Sequence, residues 1–267
     1  MIIMKKHIAI IAVLISFALC GCTEIVVDPG APVDKVFQIA GDFDALYVAN
    51  AFSVYVDDEA TDVTVTVGEN LITKVVVEQV NGELRIYCKP PVTVINGSDM
   101  KAVIPHSLGL KDIELSGASS FNSPFPVVGK NVSVDLSGAS RFNADISGSD
   151  TDIELSGASR IKGGIIAGDL TLELSGASVA DLTGLTGDLV LKLSGASRNV
   201  DNVVLKCYGL ECTTCKGSIS GASKAFIHCL DDINVSLSGA SSLHYTGDAT
   251  TDNCSTSGSS NIYHDCF

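Results

Sequence analysis

The chain has 267 residues, a formal charge of −14 and 46% hydrophobic residues, with 25 Gly and no Trp. That composition excludes both a disordered chain and a collagen-like polymer. The acidic balance argues against nucleic acid or an anionic membrane surface as partner, and the dominance of Val, Leu, Ile, Ser, Gly, Thr and Asp is the chemistry of strands and turns.

Residues 1–21 read as an export signal. Lys5 and Lys6 precede an apolar run from Ile8 to Leu19, shorter than the roughly 20 residues needed to span a bilayer. The run ends Leu19, Cys20, Gly21, Cys22, which resembles a bacterial lipobox, so Cys22 is expected to carry lipid and tie the chain to a membrane. Residues 22–35 contain Pro29, Gly30 and Pro32 with little periodicity, as a tether would. Residues 36–110 alternate in strand fashion over 44–57, 63–67, 74–80 and 83–88, with Asn81-Gly82 a hairpin signal. They are expected to form an irregular N-terminal β cap and the first loose coils of a solenoid.

Residues 111–267 are organised by an internal repeat. Ser-Gly-Ala-Ser begins at Ser116, Ser137, Ser156, Ser175, Ser194, Ser220 and Ser238, and a degenerate Ser-Gly-Ser-Ser at Ser257. The spacings are 21, 19, 19, 19, 26, 18 and 19 residues, the signature of coils stacked with the same small residues at the same corner. Apolar residues stand one and three places before nearly every motif, as in Leu155 and Ile153, with Thr256 and Gly217 the exceptions, and apolar character mostly returns five places after its first Ser, with Asn199 the exception. Period-two alternation marks strands with an apolar inner face. An α-solenoid is opposed by the same alternation, and a hexapeptide left-handed β-helix by the lack of a six-residue spacing. The fold expected is all-β, a right-handed single-stranded parallel β-helix with coils of about 19 residues.

Phe43 to Val48, Gly82 to Ile86, Val103-Ile104-Pro105 and the stretch Ile113 to Ser119 together resemble the putative autotransporter-adhesin head GIN domain family, over about residues 36–262. The resemblance implies a pectin-lyase-like β-helix without the lyases' catalytic residues, exported in bacteria of the Bacteroides type, with a role in adhesion. The 26-residue spacing and the many cysteines depart from the family pattern.

Outward positions collect charge. Glu114, Asp135, Glu154 and Glu173 recur two places before the motif, with Asp112 and Asp152 on the same outward face, and form a candidate ligand face for cations or for a basic or polyhydroxylated ligand. Arg141, Arg160, Arg198 and Lys224 recur four places after the first Ser as a candidate basic column, interrupted by Val179. The plain alternative for both columns is a solvated edge. The motif serines are expected mainly to bond neighbouring backbone.

Catalysis finds little purchase. No nucleophile elbow, phosphate loop or calcium loop occurs, and the adjacent acids Asp57-Asp58 and Asp231-Asp232 would point to opposite faces of a strand. No cofactor is expected. Beyond Cys20 and Cys22 seven cysteines remain; Cys207, Cys212, Cys215, Cys229, Cys254 and Cys266 are candidate disulfide cysteines, with Cys88 left over. Zinc on Cys207, Cys212, Cys215 and Cys229 is the sharper alternative.

The function expected is a non-catalytic lipoprotein of the outer membrane, on its cell-surface or periplasmic side, binding a glycan or protein of a host or neighbouring cell through a repetitive β-helix face. The alternatives are a polysaccharide lyase or glycoside hydrolase of the same fold class, and a structural spacer.

Overall fold

The structure, a computed structural model, describes residues 26–89, 93–94, 99–199 and 209–265. No helix occurs among them. Their strands stack in parallel into a β-solenoid of about eight turns of about 19 residues.

Each regular coil has three faces. Taking the coil around Ser156 as the pattern, residues 151–155 form face A, 160–162 face B and 165–167 face C. Strands such as Val127–Leu136 and Ile146–Leu155 run through face C, bend, and continue as face A of the same rung. Register is kept from rung to rung: Ile113 lies on Val134, then Ile153, Leu172 and Leu191. The period-two pattern therefore stacks like on like and fills a continuous core. Leu115, Leu136, Leu155, Leu174 and Leu193 are all buried, each removing a side chain worth roughly 1.5–3 kcal/mol from water. On face B, Phe121 and Phe142 stack with centroids 5.3 Å apart before the column narrows to Ile161 and Ala180.

The Ser-Gly-Ala-Ser corner explains its own composition. Its Gly has φ between +69° and +76° in all eight coils, the left-handed region that side chains disfavour. A Cβ on Gly157 would also sit 2.4 Å from the carbonyl oxygen of Gly138 one rung below. The following Ala donates its N–H to that same oxygen, at 2.7 Å in Ala139, Ala158, Ala177 and Ala196 alike. The second Ser is buried, and its hydroxyl donates to the carbonyl of the first, as from Ser159 to Ser156 at 2.7 Å. This closes the turn without leaving a polar group stranded.

The N-terminal region is more ordered than an irregular cap. Strands Ala45–Val48 and Ser53–Asp57 form a full coil in register beneath Asp112–Leu115 and Ser120–Asn122. Its corner is Ala49-Asn50-Ala51-Phe52, with Asn50 at φ 63° where the repeat has Gly. The chain then drops below this coil: Glu83–Cys88 pairs under Ala45–Val48, and Lys101–Pro105 under Ser53–Asp57. Antiparallel strands flank the same end, Pro32–Phe37 on Val63–Gly68 and Val75–Val80 on Glu83–Cys88, the latter through the expected Asn81-Gly82 hairpin with both residues at positive φ.

Asn199 has a structural reason for interrupting its apolar column. In strand Arg198–Asn199 its side chain turns inward and is buried. Its Nδ2 donates to the Phe226 carbonyl and its Oδ1 accepts from the Phe226 N–H, each at 2.7 Å. One side-chain amide thus bonds both backbone polar groups of Phe226.

Candidate functional site

The outward residues of face A form two parallel columns. In one, rung-to-rung pairing places Arg85, Tyr47, Glu114, Asp135, Glu154, Glu173, Lys192, Ser218, Ser236 and Ser255 in a single file. In the other, Asp112, Ser133, Asp152 and Thr171 follow one another. The six acids singled out in the sequence thus share one outer face, with successive carboxylates of the first column one rung, ~4.8 Å, apart.

Beside this column runs an open groove of about 580 Å³, floored by Leu155, Leu174 and Leu193 and walled by Ser137, Ser156, Ser175, Ser194 and Ser220. Its acidic side is Glu114, Asp135, Glu154 and Glu173. Lys192 closes the acidic track by pairing with Glu173, and Arg85, held by Glu83, stands beyond Tyr47 at the other end. The first Ser of most motifs is half-buried, and Ser137, Ser156, Ser175 and Ser220 bond long to the preceding rung, as from Ser156 to the Leu136 carbonyl at 3.5 Å. These hydroxyls line the groove; the second Ser of each motif, buried in the corner, does not.

The local environment loads the upstream end of the track with unfavourable charge. Burial, then the neighbouring carboxylate of Asp135, pushes Glu114 above the ordinary range, against the pull of Arg85. Burial alone raises Asp135, and burial raises Asp112 against the pull of Lys111. Each of these groups would gain from a cation in the groove.

Across the corner, face B carries the basic column. Ser120, Arg141, Arg160, Val179, Arg198, Lys224, Ser242 and Asn261 follow in register, the four cations exposed. Further along the face, Phe226, His244 and Tyr263 stack at 4.9 and 4.6 Å, with His244 Nδ1 3.1 Å from Asp265.

Two outward columns escaped the sequence reading. Asp150, Asp169 and Asp188 stack at the corner between faces C and A, continued by Thr214, whose hydroxyl donates to Asp188 at 2.8 Å. The signal was present: each Asp stands six places before its motif. On face C, Val128, Ile166 and Leu185 are more than half exposed, with Ser147 between the first two. Only the register distinguishes Ile166 from the buried Ile165 beside it.

The cysteines depart from expectation. Cys207, Cys266 and the lipidation candidate Cys22 lie outside the described residues. Cys212, Cys215, Cys229 and Cys254 are free thiols, not disulfides. Cys212 and Cys229 occupy the inward column that holds Gly148, Ala167 and Thr186 in earlier coils, and Cys215 the column of Leu170 and Leu189. They fill core positions as small apolar side chains. Burial holds Cys215 well above the usual thiol range and pushes Cys88 up to about 11, while a hydrogen bond with the Cys229 thiol, then burial, raises Cys212. Among the described residues no three His, Cys, Asp or Glu side chains come together as a metal site. The adjacent acids do not form a catalytic pair either: Asp57 caps its own turn by accepting from the Glu59 N–H, and Asp232 accepts from Thr250.

The same architecture recurs in known proteins. The model of the putative auto-transporter adhesin, head GIN domain family matches residues 42–249. The chain belongs to this family. A crystal structure of a putative adhesin from Parabacteroides merdae ATCC 43184 is 18% identical with a TM-score of 0.75, covering 90% of this chain and 99% of that one. A putative lipid binding protein from Parabacteroides distasonis ATCC 8503 is 20% identical with a TM-score of 0.75, covering 91% and 100%. A putative adhesin from the same strain is 18% identical with a TM-score of 0.73, covering 90% and 98%. At such identities these structures show a shared solenoid fold and no more. No match is found among curated proteins.

Proposed function

We propose that this GIN-domain chain is a non-catalytic binding module of the cell envelope, exported and held by lipid at Cys22, whose ligand lies along the face A groove. The observation that carries the reading is the in-register file of Glu114, Asp135, Glu154 and Glu173 beside a Ser-walled channel. A linear array at ~4.8 Å suits an extended ligand that is basic or polyhydroxylated: carboxylates meet cations or hydroxyls, and Ser hydroxyls complete the contact. The family's naming as adhesins supports binding over catalysis.

The test is a glycan array probed with the wild-type chain and with a variant carrying Glu114→Lys, Asp135→Lys, Glu154→Lys and Glu173→Lys. The reading expects wild-type signal on a defined set of glycans, concentrated on amino sugars, and its loss in the folded variant. Cleavage of a polysaccharide mapping to a compact residue cluster would overturn it in favour of a lyase or hydrolase.

A further inference from the structure

The acidic file on face A and the basic file on face B share one repeat, because both are set by the same rungs. We infer that the basic column of a second copy of this chain docks into the acidic groove, so that the molecule binds its own kind. This rests on the reading of the groove as a binding site and names its partner.

The complementarity holds rung by rung. Numbering rungs by the motif, acids occupy the first four as Glu114, Asp135, Glu154 and Glu173, followed by Lys192. Cations occupy the second, third, fifth and sixth as Arg141, Arg160, Arg198 and Lys224, with Val179 at the fourth. For parallel rods, an offset of one rung sets Lys192 against Lys224. An offset of two removes that clash: Glu114 meets Arg160, Glu154 meets Arg198, Glu173 meets Lys224, and Lys192 meets Ser242. For antiparallel rods, the clash-free register with most pairs sets Glu114 against Arg198, Glu154 against Arg160 and Glu173 against Arg141, with Lys192 against Ser120. In both, the same three acids find cations and Asp135 faces Val179.

Shape agrees with charge. The acids flank a concave groove and the four cations are exposed long side chains, so a ridge enters a channel. Exposed pairs are individually weak and are screened beyond about 8 Å at physiological ionic strength. The contact is therefore salt-sensitive and gains from many rods displayed on one surface. Because the two files lie on different faces, each copy bound leaves one file of each sign free, and the contact propagates as a row.

The experiment is sedimentation velocity on the full chain at low salt, with circular dichroism confirming the fold of each variant. One variant carries Glu114→Lys, Glu154→Lys and Glu173→Lys; the other carries Arg141→Glu, Arg160→Glu, Arg198→Glu and Lys224→Glu. Wild type should self-associate and dissociate on raising the salt, each variant alone should stay monomeric, and the two mixed should associate again. Val179→Arg, which offers Asp135 a cation, should raise the association constant about two- to fivefold. A wild-type chain that stays monomeric at millimolar concentration, a base-reversed variant that still self-associates, or a mixture that does not associate would each overturn the inference. Hexalysine binding separates the two readings. If the base-reversed variant binds it while wild type does not self-associate, the groove stands and its partner is another molecule. If no form binds it, the groove reading itself fails.

Discussion

Two stretches of one column differ in a way the fold does not require. Over four rungs its outward residues are Glu114, Asp135, Glu154 and Glu173; later in the same register they are Ser218, Ser236 and Ser255. Beside Ser218 and Ser236 the inward neighbours keep their character: Leu115, Leu136, Leu155 and Leu174 give way to Ile219 and Leu237, all buried, and only beside Ser255, in the last described coil, does an exposed Thr256 take the position. The backbone accepts either outward chemistry and one inward chemistry. Inward residues therefore record what folding needs, and the acids record something else.

Substitutions can break this contrast from its strongest side first. Leu155→Ala removes a buried side chain and should lower stability by about 2–5 kcal/mol, read by urea denaturation. Gly157→Ala forces a side chain into φ +72° and against the Gly138 carbonyl, and should lower stability by about 1–3 kcal/mol from backbone strain, with the clash added. Asn199→Ala removes a buried side chain and the two hydrogen bonds it makes to the Phe226 backbone, so a loss of about 1–3 kcal/mol is expected in the same assay. Glu154→Ser, next to Leu155 but pointing out, should change stability by no more than about 0.5 kcal/mol. A large effect there would place Glu154 in the folding machinery and dissolve the contrast.

The pH dependence sharpens the same point. Glu114, Asp135 and Asp112 have folded pKa values raised above their unfolded ones, so the native state binds protons more tightly than the unfolded state does. Stability contributed by these groups is greatest at low pH and declines as pH rises from the unfolded to the folded value. Cation binding runs the other way and should weaken as pH falls through that window. Glu114→Gln with Asp135→Asn should flatten the stability slope there, measured by thermal melts at stepped pH.

How far residues announce these roles depends on what the roles demand. The coils from Asp112 onward were legible because their corners have positive φ and, from Gly138 on, a carbonyl directly beneath that admits only Gly, repeated at every turn. The coil at Ala45–Asp57 was less legible: Asn50 also tolerates positive φ, and Phe52 replaces the corner Ser, so the same geometry wears different residues. The descent of Glu83–Cys88 beneath that coil follows from long-range pairing that no local pattern encodes. The acidic and basic files could be assembled by counting from each motif. The groove between the Glu file and the Ser wall, and the exposure of Ile166 beside buried Ile165, needed the register itself. The cysteines misled because their number suggested disulfide arithmetic, whereas their inward positions use them as fillers.

The most direct test of the acids as a binding surface is calorimetric titration of hexalysine into the wild-type chain and into a variant with Glu114→Gln, Asp135→Asn, Glu154→Gln and Glu173→Gln. Saturable binding by wild type, weakened about tenfold or more in an equally stable variant, is the result expected. Equal affinity in the two proteins would contradict it and return the file to an ordinary solvated edge.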